Sequence, residues 1–162
     1  MQVGEKGYEP FSAKGGSYMD SEIIKRYFLA DTKKISENEN LLRIRNWKII
    51  KINFPIFIIC MLHSKSKKEY YFSLLYDDIP ISLQIVDHVN FLPLPYSEWP
   101  QGASFLQNHN VTHCPFLCAP GIREYHTHNS HSGETQWVYT SQNFRLPSVL
   151  DTVYNHLLRT DK

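Results

Sequence analysis

Between Leu41 and Val89 the chain sets out four short runs, LLRIRNWKIIKI, PIFIICMLH, EYYFSLLY and ISLQIVDHV, in which Ile, Phe, Tyr and Leu dominate. Side chains of this kind fit a pleated, half-buried surface, so each run predicts a β-strand. The breaks between them are short. SKSKK (Ser64 to Lys68) reads as a solvated turn between the second and third runs, and DDIP (Asp77 to Pro80) parts the third from the fourth. Strands joined this tightly pair antiparallel with their sequence neighbours, because a parallel return needs a crossover of about a dozen residues or more. The expectation is a four-stranded antiparallel meander.

The flanks supply helices. Asp20 can cap a helix in which Ile23, Ile24, Tyr27 and Phe28 recur at helical spacing, with the stripe continuing to Ile35 before SENEN stops it. At the other end, PSVLDTVYNHLL (Pro147 to Leu158) places Val149, Leu150, Val153, Tyr154, Leu157 and Leu158 on one face, with Pro147 suited to a first turn. The fold class is therefore α+β: N-terminal helix, antiparallel four-stranded meander, irregular active-site loop, C-terminal helix. Residues 1–16, with four Gly among Lys and Ser, read as a flexible N-terminal arm, and 17–162 as one domain.

Composition narrows the function. The chain has 162 residues and a net charge of +1, so no strong field draws in nucleic acid or anionic lipid. The Tyr and Phe content lacks the basic groove that single-strand stacking requires. The apolar stretch Phe54 to Leu62 is broken by Pro55 and falls short of the ~20 residues that span a bilayer. No secretory pattern opens the sequence, which predicts a cytoplasmic protein with no membrane partner. Three Cys, an odd number, argue against a disulfide framework and leave at least one thiol free. Cys60, inside PIFIICMLH, reads as a buried strand residue, Trp47 and Trp99 as packing, and His63, His88 and His156 as ordinary strand-end or helix-surface residues.

The rarer side chains gather late in the chain. Of eight His, five (His109, His113, His126, His128 and His131) fall between Asn108 and Trp137, interleaved with Cys114 and Cys118. Cys118 stands between Phe116-Leu117 and Ala119-Pro120-Gly121, a turn that would fix its backbone at a surface bend and suit a nucleophile. His113, Arg123 and the three later His are candidates for lowering its pKa, and Asn110 could donate its amide to a developing oxyanion. Cys114 and Cys118, with three residues between them and no second pair, are weak zinc ligands. Before this stretch, FLPLPYSEWPQG carries Pro93, Pro95 and Pro100, which forbid a regular ladder. The loop that follows is irregular without being polar, so something must hold it to the body.

This arrangement resembles the ubiquitin-conjugating enzymes, the UBC fold. That family has a His-Pro-Asn tripeptide, a catalytic Cys eight residues after its Asn, a later Trp and then a helix. Here Asn110 precedes Cys118 by eight residues, Trp137 precedes the last helix, and YSEWP lies where the family has its Tyr-Pro and Pro-Pro motif. The tripeptide reads Asn108-His109-Asn110, so the Asn stays in register while His and Pro are displaced. The segment from Cys118 to Trp137 is longer than in a typical member and forms a His-rich insertion at about 119–136. In that form the chain looks like divergent bacterial relatives encoded beside cyclic-oligonucleotide antiphage signalling (CBASS) genes and other prokaryotic ubiquitin-like conjugation operons.

The resemblance implies a transferase that carries a partner's C-terminus as a thioester on Cys118 and passes it to an amine. Asn110 would be the oxyanion donor, and His109 would orient or tune the thiolate. The implied partner is a CD-NTase-type nucleotidyltransferase or a ubiquitin-like protein. No cofactor is required of the carrier, and no phosphate-binding glycine-rich motif is present, so ATP would act through a separate activating enzyme or be bypassed.

Two other readings remain open from sequence. His126-x-His128 on a strand would put both rings on one face, and with Glu124 and His131 could hold zinc for a hydrolase or metal-binding domain. It resembles the His-x-His of JAMM deubiquitinase-like proteases, although Asn129 stands where that family has Pro and Asp151 lies too far downstream. The third reading is a catalytically inactive UBC-fold binding module with a polar His-rich insertion.

Overall fold

The computed structural model describes residues 20–131 and 144–160. The arm expected over 1–16, the end of the His-rich segment and Trp137 lie outside the described residues. The first helix, α1, spans Ser21–Ser36, and the Asp20 carboxylate accepts from the Glu22 and Ile23 N–H groups at 2.9 and 3.4 Å. These are donors that the first helical turn cannot satisfy itself. A second helix, α2 (Glu39–Arg45), follows.

Then come the strands β1 (Lys48–Asn53), β2 (Ile56–Leu62), β3 (Glu69–Leu75) and β4 (Ser82–Val86), each antiparallel to the next in the order β1-β2-β3-β4. The expected meander is present in its expected order. Beyond it stand a two-residue pair, β5 (Phe105–Leu106) with β6 (Phe116–Leu117), a one-turn helix α3 (Arg123–Thr127), and the closing helix α4 (Leu146–Leu158). Among the described residues, no helix is long and apolar enough to cross a membrane.

LLRIR corrects the sequence reading. Leu41 to Arg45 was expected to open the first strand, but the residues coil into α2. Asn38 caps the Leu41 N–H at 3.1 Å, and Asn46 ends the helix in the left-handed region at φ 54°. Leu41 and Leu42 pack on the core while Ile44 points outward, which is helical rather than alternating burial.

One face of the sheet carries the core. Phe57, Ile59 and Met61 of β2, Phe72 and Leu74 of β3, and Leu83 and Ile85 of β4 meet Ile24 and Phe28 of α1 and Val149, Leu150, Val153 and Leu157 of α4. Fully burying one such side chain contributes about 1.5–3 kcal/mol. The two helices are locked together at one end by Asp31 of α1. Its buried carboxylate accepts from Arg145 Nε at 2.8 Å, from the Tyr76 hydroxyl at 2.7 Å and from the first N–H of α4 at 3.3 Å. The Arg145 guanidinium carbon also stands over the Tyr27 ring, 3.9 Å from its centroid.

The Pro-rich loop is held by its aromatics. Trp99 is buried and meets Phe105 edge-on at 6.3 Å, its indole N–H donates to Leu94 O at 3.1 Å, and the Tyr96 hydroxyl donates to Phe105 O at 3.0 Å. These contacts explain how a nearly ladder-free segment stays on the body, and they fix β5 beneath the loop that matters next. His63, read from sequence as an ordinary strand-end residue, is instead fully buried. Its Nδ1 meets the Ser66 hydroxyl at 2.8 Å and its Nε2 meets Thr160 O at 3.1 Å, tying the β2–β3 turn to the end of α4.

Candidate functional site

Cys118 follows β6 directly. Its N–H donates to Ser104 O at 2.8 Å, continuing the β5–β6 pairing by one residue, and the Ala119 N–H closes back on Leu117 O at 3.1 Å. That three-residue closure puts Cys118 at the apex of a γ-turn. The next turn begins at once. Ile122 N–H donates to Ala119 O at 3.2 Å across Pro120 and Gly121, and Gly121 has φ +90°. Pro followed by a residue of positive φ is a type II turn, which needs glycine at that second position. The sequence expectation for Ala-Pro-Gly is met. Alternation along β6 aligns Cys118 with Phe116 rather than with Leu117, which lies in the main core. The thiol is half-buried, and burial pushes it up from its ordinary value.

Asn110 belongs to the loop that joins β5 to β6, and His109 shapes that loop. The His109 ring is fully buried; its Nε2 faces Glu124 O at 2.9 Å, and its Nδ1 accepts from the Val111 and Thr112 N–H groups at 3.2 Å each. Two donors aimed at Nδ1 leave only one consistent assignment, a neutral ring with its proton on Nε2 donating to the carbonyl. Burial, helped by the nearby His128 and His113, holds the imidazole below its ordinary value against the opposing hydrogen bond to Glu124 O. His109 is therefore turned into the body of the fold, where its ring holds the backbone of the loop. The loop closes with His109 N–H to Cys114 O and His113 N–H to His109 O, both 2.9 Å, and with His113 at φ 57°. The Asn110 side-chain oxygen accepts from Asn129 N–H at 3.2 Å, so the amide is oriented by its acceptor half and its N–H groups remain to donate.

Three of the other clustered His are structural braces as well. His126 Nε2 accepts from the Gly121 N–H at 3.1 Å, locking the turn after Cys118. His128 stacks on Phe116 with centroids 5.5 Å apart, meets His109 edge-on at 5.5 Å, and engages the Ser130 hydroxyl at 2.7 Å through Nδ1. His131 stacks on Tyr125 at 3.8 Å. His113 is exposed.

Several expectations change here. His126 lies in α3, not on a strand, and His128 is the extended residue just past the end of that helix, so the strand alternation that would set both rings on one face is absent. Glu124 turns away from both: it is buried, and its carboxyl accepts from the Ser82 hydroxyl and from Leu83 N–H, the latter at 3.3 Å. Among the described residues no three His, Cys, Asp or Glu side chains converge as metal ligands, so the set Glu124, His126, His128 and His131 does not form the zinc centre the second reading needs. Arg123, a candidate for tuning the thiol, instead gives its guanidinium to Asp77 at 2.6 Å and to Pro80 O at 2.9 Å. Among the described residues no cation offsets the burial that raises the thiol. The described part of the His-rich insertion is not loose: Ala119, Gly121, Ile122 and Glu124 are all buried.

Cys114 donates from Sγ to Thr112 O at 3.3 Å inside the loop, and Cys60 is buried on β2. A groove of about 530 Å³ opens elsewhere, between β3, the end of β4 and Leu94–Glu98, and takes in none of the candidate site residues His109, Asn110, Cys118, Glu124, His126, His128 and His131. Sequence reasoning missed Ser82 and gave Glu124 a different task. A lone acid in a His-rich stretch gives no sign of the strand it will pair with, whereas the αL requirement at Gly121 was readable from Pro-Gly.

Residues 90–160, from just past β4 to the end of α4, match the sequence profile of the Y4jH-like family (Y4jH family), which is UBC-fold-like. The match includes His109, Asn110, Cys118 and Glu124 and leaves out the meander. No curated protein matches the chain.

Proposed function

We propose that the chain is a divergent ubiquitin-conjugating-enzyme-like transferase in which Cys118 carries the C-terminus of a partner protein as a thioester and passes it to an amine. The observation that carries this reading is the braced bend at Cys118. A half-exposed thiol stands at the apex of a γ-turn, with a His126-locked turn after it and, before it, a loop whose shape His109 fixes and whose Asn110 has amide protons to give.

In loading, the Cys118 sulfur loses its proton to solvent and attacks the carbonyl carbon of an incoming thioester. A C–S bond forms, the donor thiolate leaves, and the transient oxyanion is what the Asn110 amide would stabilise. In discharge, an amine nitrogen attacks the same carbon and gives up a proton, and Cys118 leaves as thiolate and is reprotonated. A thiol raised by burial suits a carrier, because a thiolate of higher pKa leaves less readily and the acyl group waits for the amine.

The partner's tail must be extended to reach a sulfur recessed in a bend. A CD-NTase-type nucleotidyltransferase in CBASS antiphage defence is the partner we favour, on the likeness to the conjugation-operon relatives, with a ubiquitin-like protein as the other source of such a tail. A separate activating enzyme would supply the first thioester in the cytoplasm.

A glycine-ending peptide presented as its mercaptoethanesulfonate thioester bypasses that enzyme. Intact mass spectrometry should show one acyl adduct, removed by dithiothreitol, on the wild type and on Cys114→Ala and Cys60→Ala. Cys118→Ala should show none. An adduct that survives Cys118→Ala, or disappears in Cys114→Ala, refutes the assignment.

A further inference from the structure

α3 has five residues and no side-chain cap at its N-terminus. A helix that short cannot hold itself in place, because nucleation costs more than so few hydrogen bonds return. Its position must come from tertiary contacts, and Glu124 makes two of different kinds. Through its carboxyl it accepts from the Ser82 hydroxyl and the Leu83 N–H at the start of β4. Through its backbone carbonyl it accepts from His109 Nε2 at 2.9 Å. His109 Nδ1 in turn accepts from Val111 and Thr112, the two residues after Asn110. One residue thus joins the sheet to the loop.

We propose that Glu124 is a positioning residue for the candidate site, acting through His109: its carboxyl pins α3 to β4 and so keeps the carbonyl that fixes the imidazole, and with it the Asn110 loop, in place. The inference rests on the reading of Cys118 and Asn110 as the reacting pair. The pin consists of two hydrogen bonds to the carboxyl. Burial pushes the Glu124 carboxyl up, and the neighbouring Arg123 gives its guanidinium to Asp77. A glutamine at 124 could keep both contacts, accepting from Leu83 N–H and donating to the Ser82 hydroxyl.

The test uses the full chain labelled with nitrogen-15, reading the ring nitrogens of His109 and the exchange of the Val111 and Thr112 amides. Wild type and Glu124→Gln should show the Nε2–H tautomer and exchange rates within about twofold of each other. Glu124→Ala should mix the tautomers and speed both amides by about tenfold, the scale of losing anchoring hydrogen bonds. Ser82→Ala removes one of the two pins with little volume, should shift the same signals in the same sense, and decides alone if Glu124→Ala does not fold. If the alanine variants lower only the melting temperature and leave the ring pattern and the two amides as in wild type, Glu124 is merely packed and the proposal fails. It also fails if Glu124→Gln is as disturbed as Glu124→Ala. None of these signals needs a partner or a reactive thiol, so a wild-type Cys118 that refuses acylation would defeat the carrier reading while leaving this test legible.

Discussion

At the scale of the residue, His109 illustrates how a buried titratable side chain can fix the shape of a loop. Its two acceptor contacts at Nδ1 require the neutral ring, and protonation there would turn an acceptor of two N–H groups into a third donor facing them. Burial keeps its pKa in the fold below the ordinary value of 6.5, so the unfolded chain binds the proton more readily than the native one. The stability His109 contributes is therefore fully present above about 6.5 and is lost as pH falls towards its lowered value. A pH titration followed on the Val111 and Thr112 amides should show the loop loosening with a midpoint below that of an unperturbed imidazole; a midpoint at or above it contradicts the account. The same residue marks a limit of the sequence. Five clustered His suggested metal or thiol tuning, and pairing His109, His126, His128 and His131 with their hydrogen-bonding or stacking partners needed the contacts of Glu124, Gly121, Phe116 and Tyr125, which spacing does not encode.

At the scale of the element, the bend around Cys118 is built from two consecutive turns, and Gly121 is where that construction can be tested. Its φ of +90° disfavours any side chain, and a Cβ there would stand 3.1 Å from Phe144 Cδ1. Gly121→Ala should lower stability by about 1–3 kcal/mol in urea unfolding and slow acylation of Cys118 by the peptide thioester; an unchanged unfolding midpoint would show that the turn is not under this constraint. The Pro-Gly signal made this turn legible. Two other elements misled. LLRIR has apolar residues a strand would also accept, and the deciding features were the Asn38 cap and the left-handed Asn46, small signals beside three aliphatic side chains. His126-x-His128 suggested a strand, but the segment follows a type II turn that leads Ile122 into pairing with Ile81, and the chain then coils into α3 under the hold of β4.

At the scale of the whole molecule, the legible part of the fold is the part with local periodicity. Four strands with tight turns, a capped amphipathic first helix and a Pro-led last helix all declare themselves within a few residues of sequence, and all are present. The long-range ties were not legible. Asp31 waits for Arg145 and Tyr76, His63 for Thr160, and Glu124 for Ser82, each across more than 40 residues. The meander and helices form a platform, the Trp99–Phe105 contact seats β5 on it, and the paired β6 presents Cys118 at its end, so the site is a consequence of how the later half of the chain is pinned to the earlier half. The central claim is that this presentation makes one sulfur of three the acyl carrier. The direct measurement is proteolytic mapping by tandem mass spectrometry of wild-type protein after brief exposure to limiting peptide thioester at neutral pH. The account predicts the acyl group on Cys118, with Cys114 and Cys60 unmodified, and its transfer to added lysine with return of the free thiol. Acylation spread between Cys114 and Cys118, or confined to Cys114, would contradict it.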